Sequence, residues 1–253
     1  MATKISNPGK LTGVGGLKTL FLILTVVGLA AFGGALMVNK QRAWASFLQG
    51  HFYFAALAIG GLFFAAIQWL TGAMWSAPVR RIAESYTAYL PFVLLGLVGI
   101  GFGMHELYVW THADHVQGDI ILEHKAGYLN TKFFMIRNVI AIGIWFFFAR
   151  KLIGNSTKQD TASDASPTLT NRSWSPIFLI LFALTFTMMS FDLLMSLDPH
   201  WFSTMFGVYC FAGMFYTILA LTAILTVWLR RRGLLKDIVN ENHLHDLGKF
   251  MFA

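Results

Sequence analysis

His51, His105, Glu106, Arg137 and Asp192 are ionisable residues set inside otherwise apolar stretches of this chain. A charged side chain at the centre of a bilayer costs roughly 2.5–3.5 kcal/mol on insertion scales, so such residues are rare there without a role. Their types suit proton exchange. Histidine gains and loses a proton near neutral pH, and a carboxyl shielded from water titrates nearer neutrality than one in water. Groups of this kind accept protons or relay them along a file of waters. Arg137 stays charged and needs a carboxylate partner; Glu106 or Asp192 can serve, depending on helix rotation. The plainer alternative is an ion pair that fixes helix packing, with His51 a satisfied core histidine.

The elements that must position these residues follow from composition. Of 253 residues, 56% are hydrophobic and 12% charged, about half the charge of an ordinary soluble domain. The apolar residues come in blocks near the length that crosses about 30 Å of hydrocarbon. Backbone polar groups must be satisfied within each block, so every block is predicted helical. The reading is an all-α, polytopic membrane protein with spans at 19–38, 47–70, 88–110, 132–150, 174–196 and 203–229. A tail (1–18) precedes them, a polar linker (151–173) separates the fourth and fifth, and 230–253 follows the sixth.

Basic residues set the orientation. With the N-terminus cytoplasmic, fourteen lysines and arginines fall on inside segments and four (Lys40, Arg42, Lys125, Lys132) on outside ones. That bias predicts both termini inside. The net charge of +7 is thereby explained by residues flanking spans, and no nucleic-acid partner is expected. His51 then lies near the start of the second span, His105 and Glu106 near the end of the third, Arg137 one turn into the fourth and Asp192 one turn before the end of the fifth. All five share the outer half, which predicts a polar chamber open to one leaflet.

The other segments carry weaker signals. Residues 71–87, with Trp75, Arg80, Arg81 and Glu84, read as a short interfacial helix on the cytoplasmic side. The Ser, Thr, Asp and Asn of 154–173 predict a flexible linker. Asp198-Pro199-His200-Trp201-Phe202 reads as a corner between helices, and Asp192 and Ser196 share a helix face leading to it. A polar file from Asp192 to Asp198 and His200 is therefore expected. Gly96, Gly99, Gly101 and Gly103 predict close helix approach. The single cysteine, Cys210, excludes an internal disulfide and a cysteine-ligated iron–sulfur cluster. His51 and His105 would serve as axial haem ligands only if their rings faced each other across the bundle. No metal ligand set is visible.

Three stretches carry a family likeness. Ser190-Phe191-Asp192-Leu193-Leu194-Met195-Ser196-Leu197-Asp198-Pro199-His200-Trp201-Phe202-Ser203-Thr204 resembles a segment of the NrfD-like membrane subunits of alternative complex III, which belong with the polysulfide-reductase membrane anchors. Trp75-Ser76-Ala77-Pro78-Val79-Arg80-Arg81-Ile82-Ala83-Glu84 is similar to that family's interfacial segment. Lys125-Ala126-Gly127-Tyr128-Leu129-Asn130, with Phe133, Phe134 and Arg137, is similar to its outer loop and the start of its fourth span. The polar linker and His245-Asp246-Leu247-Gly248-Lys249 fit the F-type branch better than the C-type.

The resemblance implies a ten-span fold of two four-helix bundles, of which this chain holds a peripheral first span, the first bundle (spans two to five) and one helix of the second. A chain that stops early is expected on that basis. It further implies a subunit of a quinol-oxidising respiratory complex in the inner membrane of a bacterium. Its partners would be iron–sulfur and haem c subunits, a paralogous NrfD-like subunit, lipids and quinol. Quinone or menaquinone would be its cofactor, with nothing covalently bound. His105, Glu106 and Asp192 would carry protons, supported by His51, Arg137, Asp198 and His200. A purely structural scaffold and a small-solute or ion transporter are the competing readings.

Overall fold

The computed structural model describes residues 11–252; Lys4 and Lys10 of the expected tail lie outside them. In chain order the helices are α1 (Gly15–Val38), α2 (Lys40–Thr71), α3 (Ala77–Ser85), α4 (Leu90–Leu107), α5 (Ala113–Val116), α6 (Ile120–Lys125), α7 (Thr131–Gln159), α8 (Ser166–Leu193), α9 (Phe206–Arg231) and α10 (Glu241–Phe252). There is no strand among the described residues. Six helical stretches are long and apolar enough to cross a membrane, and the chain is a multi-pass membrane protein.

Local chemistry sets the helix ends. The Asn39 carboxamide accepts the Arg42 N–H at 2.9 Å to start α2, and Asn130 does the same for Phe133 at 2.9 Å to start α7. Both satisfy amides that a helix start leaves orphaned. Prolines in the first turns of α3, α4 and α8 use positions where no N–H is needed. Gly72 closes α2 in the left-handed region, φ +64°, as a Cβ-free residue can.

Helices α2, α4, α7 and α8 form a closed ring: α2 packs on α4 and α8, and α7 packs on the same two. Trp145, Phe134, Phe178, Leu48, Leu62, Leu97 and Ile100 fill its interior. Helix α1 lies outside, against α2 only by Phe32 on Trp44 and Phe47 among its aromatics, and none of its residues is buried. Helix α9 packs outside α2 and α8. A second apolar cluster of Phe64, Val79, Ala83, Ile218, Leu219, Val239 and Leu247 joins it to α3 and α10.

The contact of α2 with α4 depends on glycine. A Cβ on Gly96 would stand 2.2 Å from His51 Nδ1, one on Gly99 3.0 Å from Phe47, and one on Gly103 2.2 Å from Trp44. Gly96, Gly99 and Gly103 make one groove, and the ridge Trp44–Phe47–His51 lies in it. Gly101 faces elsewhere: a Cβ there would meet only Met135 at an ordinary 3.6 Å.

The flexible linker expected over 154–173 is not what forms. Helix α7 runs on to Gln159 and α8 begins at Ser166, leaving six residues between. Polar side chains hold this hairpin together in place of apolar ones. Asn171 donates to the Leu152 carbonyl at 2.8 Å, Asn155 donates to Asn171 at 2.9 Å, and Gln159 accepts the Thr168 N–H and hydroxyl at 3.1 and 2.7 Å.

Candidate functional site

Two buried ionic centres lie at opposite ends of the ring. The first is built on α7 and α8. Arg137 donates from Nε to Asp192 Oδ2 at 3.0 Å and from Nη2 to Oδ1 at 2.8 Å. Its third nitrogen, Nη1, donates to the Tyr128 carbonyl at 2.9 Å. The rings of Tyr128 and Phe133 lie 3.7 and 4.2 Å from the guanidinium, so aromatic faces take up the charge that hydrogen bonds leave. Asn138 donates to Asp192 Oδ2 at 3.1 Å and to the Phe134 carbonyl at 2.9 Å. Asp192 and Asn138 are fully buried and Arg137 nearly so. Three N–H donors thus converge on one carboxylate, the fork geometry in which a carboxylate–guanidinium pair is strongest. Tyr128, 42% exposed in the loop before α7, has its phenol pushed up to about 12 by partial desolvation first and the Asp192 charge second.

The end of α4 is tied to the same place. The Tyr108 hydroxyl donates to the Leu193 carbonyl at 3.0 Å, and Trp110 Nε1 donates to the Ser196 carbonyl at 3.1 Å. The segment Ser190–Leu197 is therefore where α4, α7 and α8 are fastened together.

The five ionisable residues do not form one chamber. Arg137 and Asp192 pair with each other, which resolves the choice between Glu106 and Asp192. His51 is buried in the glycine groove, stacked on Phe47, and its Nε2 has no hydrogen-bond partner among the described residues. His105 is exposed and stacks on His112 at 3.8 Å; His112 in turn meets His115 edge-on at 5.5 Å. Glu106 is half-buried, with no hydrogen bond or ion pair among the described residues. The scatter is along the helix axes as well as around them. His51 meets α4 at Gly96, nine residues before His105, or about 13 Å along the axis at 1.5 Å per residue. The two imidazoles cannot ligate one iron.

The expected file from Asp192 to His200 is interrupted. Helix α8 ends at Leu193, and the Ser196 hydroxyl donates to the Asp192 backbone carbonyl rather than to its carboxylate. Among the described residues the Asp198 carboxylate accepts only the His200 N–H, at 3.2 Å. His200 Nε2 lies 2.6 Å from Asp119 Oδ2, and Asp119 also caps α6 through the Ile121 and Leu122 amides. The His200 hydrogen bond, then the Leu122 amide, hold the Asp119 carboxyl below the usual carboxylate range.

The second centre was not singled out from the sequence. Glu84, near the end of α3, is 2% exposed. The Ser156 hydroxyl of α7 lies 2.8 and 3.0 Å from its two carboxylate oxygens. Arg80 Nε and Arg81 Nη1 stand farther off, at 3.6 and 3.5 Å. Both guanidiniums are engaged elsewhere. Arg81 donates to Asp160 at 2.7 Å and to the Ser156 carbonyl at 3.0 Å, and Arg80 lies over the Trp69 ring at 5.0 Å. The backbone approach of α3 to α2 is close: a Cβ on Gly61 would stand 2.2 Å from the Ala83 carbonyl oxygen. The signal available in sequence was Arg80-Arg81-x-x-Glu84, whose i,i+3 and i,i+4 spacing puts charges of both signs together.

Cavities lie beside the ring. One of about 690 Å³ lies between α2 and α9 and is lined by Gln49, Phe52, Tyr53, Leu57, Tyr209 and Met214 among others, with half-buried Cys210 in its wall. Another of about 640 Å³ lies between α1 and α2. None of His51, His105, Glu106, Arg137, Asp192, Asp198 and His200 lines either one. No group of three His, Cys, Asp or Glu side chains among the described residues is placed to hold a metal ion. No protein-family model matches this chain, and no curated protein does.

Proposed function

We propose that this chain is a membrane subunit of a quinol-oxidising electron-transfer complex, in the inner membrane of a bacterium, with both termini cytoplasmic. The observation that carries this reading is that one segment has two properties. Ser190–Thr204 holds one of the two more specific family likenesses, and its first half builds the buried Arg137–Asp192 centre to which α4 and α7 are fastened. In this reading the subunit handles protons. Electrons leave through iron–sulfur and haem c partners, because the described residues offer no metal ligand set of their own. A paralogous NrfD-like subunit would sit beside it.

The cavity between α2 and α9 is the best candidate for quinol or menaquinol. At about 690 Å³ it has the size and apolar lining typical of small-molecule sites. Exposed Tyr53 and Tyr209 and the Gln49 amide supply polar groups at its wall. A quinol there would give up its protons in the outer half of the protein.

A second reading has a specific observation behind it. The three donors on Asp192 favour a structural lock, and a scaffold subunit needs nothing more from that pair. Gentle solubilisation of native membranes, capture of this subunit and a reduced-minus-oxidised spectrum test the main reading. Iron–sulfur and haem c partners are expected. Capture of the folded subunit from native membranes with no redox chromophore would overturn it.

A further inference from the structure

We infer that Glu84 is a proton-exchanging carboxyl, served by water from a cavity at the α3 end of the ring. This goes beyond the respiratory reading and stands whether or not the subunit serves a quinol-oxidising complex. The argument starts from how differently the two buried carboxylates are held. Asp192 accepts three N–H donors that can only donate, so none of them could accept a hydrogen bond from a protonated Asp192. Among the described residues the Glu84 carboxylate has a single hydrogen-bonding side chain, the Ser156 hydroxyl. A hydroxyl both donates and accepts. It can donate to the ionised Glu84 and, after a rotation of its O–H bond, accept from the protonated one. The proton comes from water and returns to water, and no other bond changes.

Access supports the same assignment. A cavity of about 420 Å³ has Glu84, Ser85, Thr87, Arg150 and Thr157 in its lining, the rest of which is mostly apolar, from Leu90 and Pro91 to Phe146 and Ile153; water at its polar side would reach Glu84. The charged groups around Glu84 moderate the exchange without blocking it. Arg80 and Arg81 face it from its own helix at 3.6 and 3.5 Å. Just past the end of α7, Asp160 holds Arg81, and Arg150 of α7 lines the cavity. Helices α2 and α4 carry their charged residues toward their opposite ends. Helix α9, which packs on α3, ends in Arg230 and Arg231, and neither pairs with Glu84.

The test is infrared difference spectroscopy of the full chain in lipid nanodiscs, titrated from about pH 5 to about pH 9, across the range where a shielded carboxyl titrates. The expected result is a protonated-carboxyl carbonyl band that disappears as pH rises. It should be missing from Glu84→Gln and retained in Asp192→Asn. In Ser156→Ala, which removes a donor to the ionised form, the band should persist to higher pH. Should Glu84→Gln fail to fold, the Ser156→Ala shift decides. Wild-type spectra with no such band, or a band that neither variant moves, would mean that Glu84 stays ionised between its arginines, and the inference would be wrong. The spectrum needs no redox partner, so this failure is separable from failure of the respiratory reading.

Discussion

The Arg137–Asp192 pair shows how much a single buried contact controls. Breaking such a pair from one side leaves an uncompensated charge and typically costs about 3–5 kcal/mol, whereas replacing both partners with apolar residues is far milder. Asp192→Asn is therefore expected to lower the thermal midpoint of the solubilised protein sharply, and Arg137→Met with Asp192→Leu to recover most of the loss. Equal loss in the single and double variants would show that the pair is not what the site depends on. Arg137→Lys should not substitute, because an ammonium cannot span both carboxylate oxygens and the Tyr128 carbonyl with one rigid fork. A milder effect is expected where Asp119 meets His200. Asp119 has its folded-state pKa lowered by that contact. Its contribution is thus present above the ordinary aspartate value near 3.9 and is lost as pH falls through the lower folded value. His200→Ala should move the Asp119 titration, followed by carboxyl-carbon NMR, back toward the ordinary value; an unmoved midpoint would assign the depression to the α6 amides alone. Sequence named both residues of the buried pair and left Glu106 as a rival for Arg137, since spacing along a helix does not reveal its rotation. Glu84 was legible as a member of an amphipathic helix but not as buried, because its partner Ser156 sits in a stretch whose composition reads as linker.

The glycine groove on α4 separates two effects that a glycine-to-alanine change combines. Alanine gains about 1 kcal/mol of helix propensity over glycine, and overpacking a tight contact costs about 1–3 kcal/mol. At Gly96 the added methyl meets His51 Nδ1 at 2.2 Å, and His51 is itself buried against Phe47, so overpacking is expected to win. At Gly101 there is room, and propensity should win. Gly96→Ala is thus expected to destabilise and Gly101→Ala to be neutral or slightly stabilising, as read by thermal unfolding. His51→Ala should restore Gly96→Ala by vacating the groove, and an additive double variant would argue against the fit. The glycine run itself was legible in the sequence. Which of its members faces a neighbour was not, because that depends on the rotation of α4. The helical hairpin of α7 and α8 beyond the apolar core escaped for a different reason: its polar residues satisfy each other across the hairpin, and that pairing leaves no periodic trace.

At the scale of the whole molecule, hydrophobic block length and the lysine and arginine bias carry most of the information, because a bilayer admits few backbone solutions. All six spans were legible, and their ends differ from the expected ones most where polar residues extend α7 and α8 and where α2 begins, at Lys40. The ring of α2, α4, α7 and α8 was implied only by family likeness, and it places its two ionic centres at opposite ends. Orientation gives those ends different meanings. In the proposed orientation, which puts fourteen basic residues on one side and four on the other, the Asp192 end would face outward and the Glu84 end the cytoplasm. Exposed positions on the two sides offer a direct check. In a Cys210→Ala background, Ala113→Cys at the start of α5 should react with a membrane-impermeant maleimide added to spheroplasts. Ser163→Cys, between α7 and α8, should react only after the membrane is opened. The reverse pattern would turn the molecule over, place Glu84 on the outer surface, and make its proton exchange a release to the outside rather than an uptake from the cell.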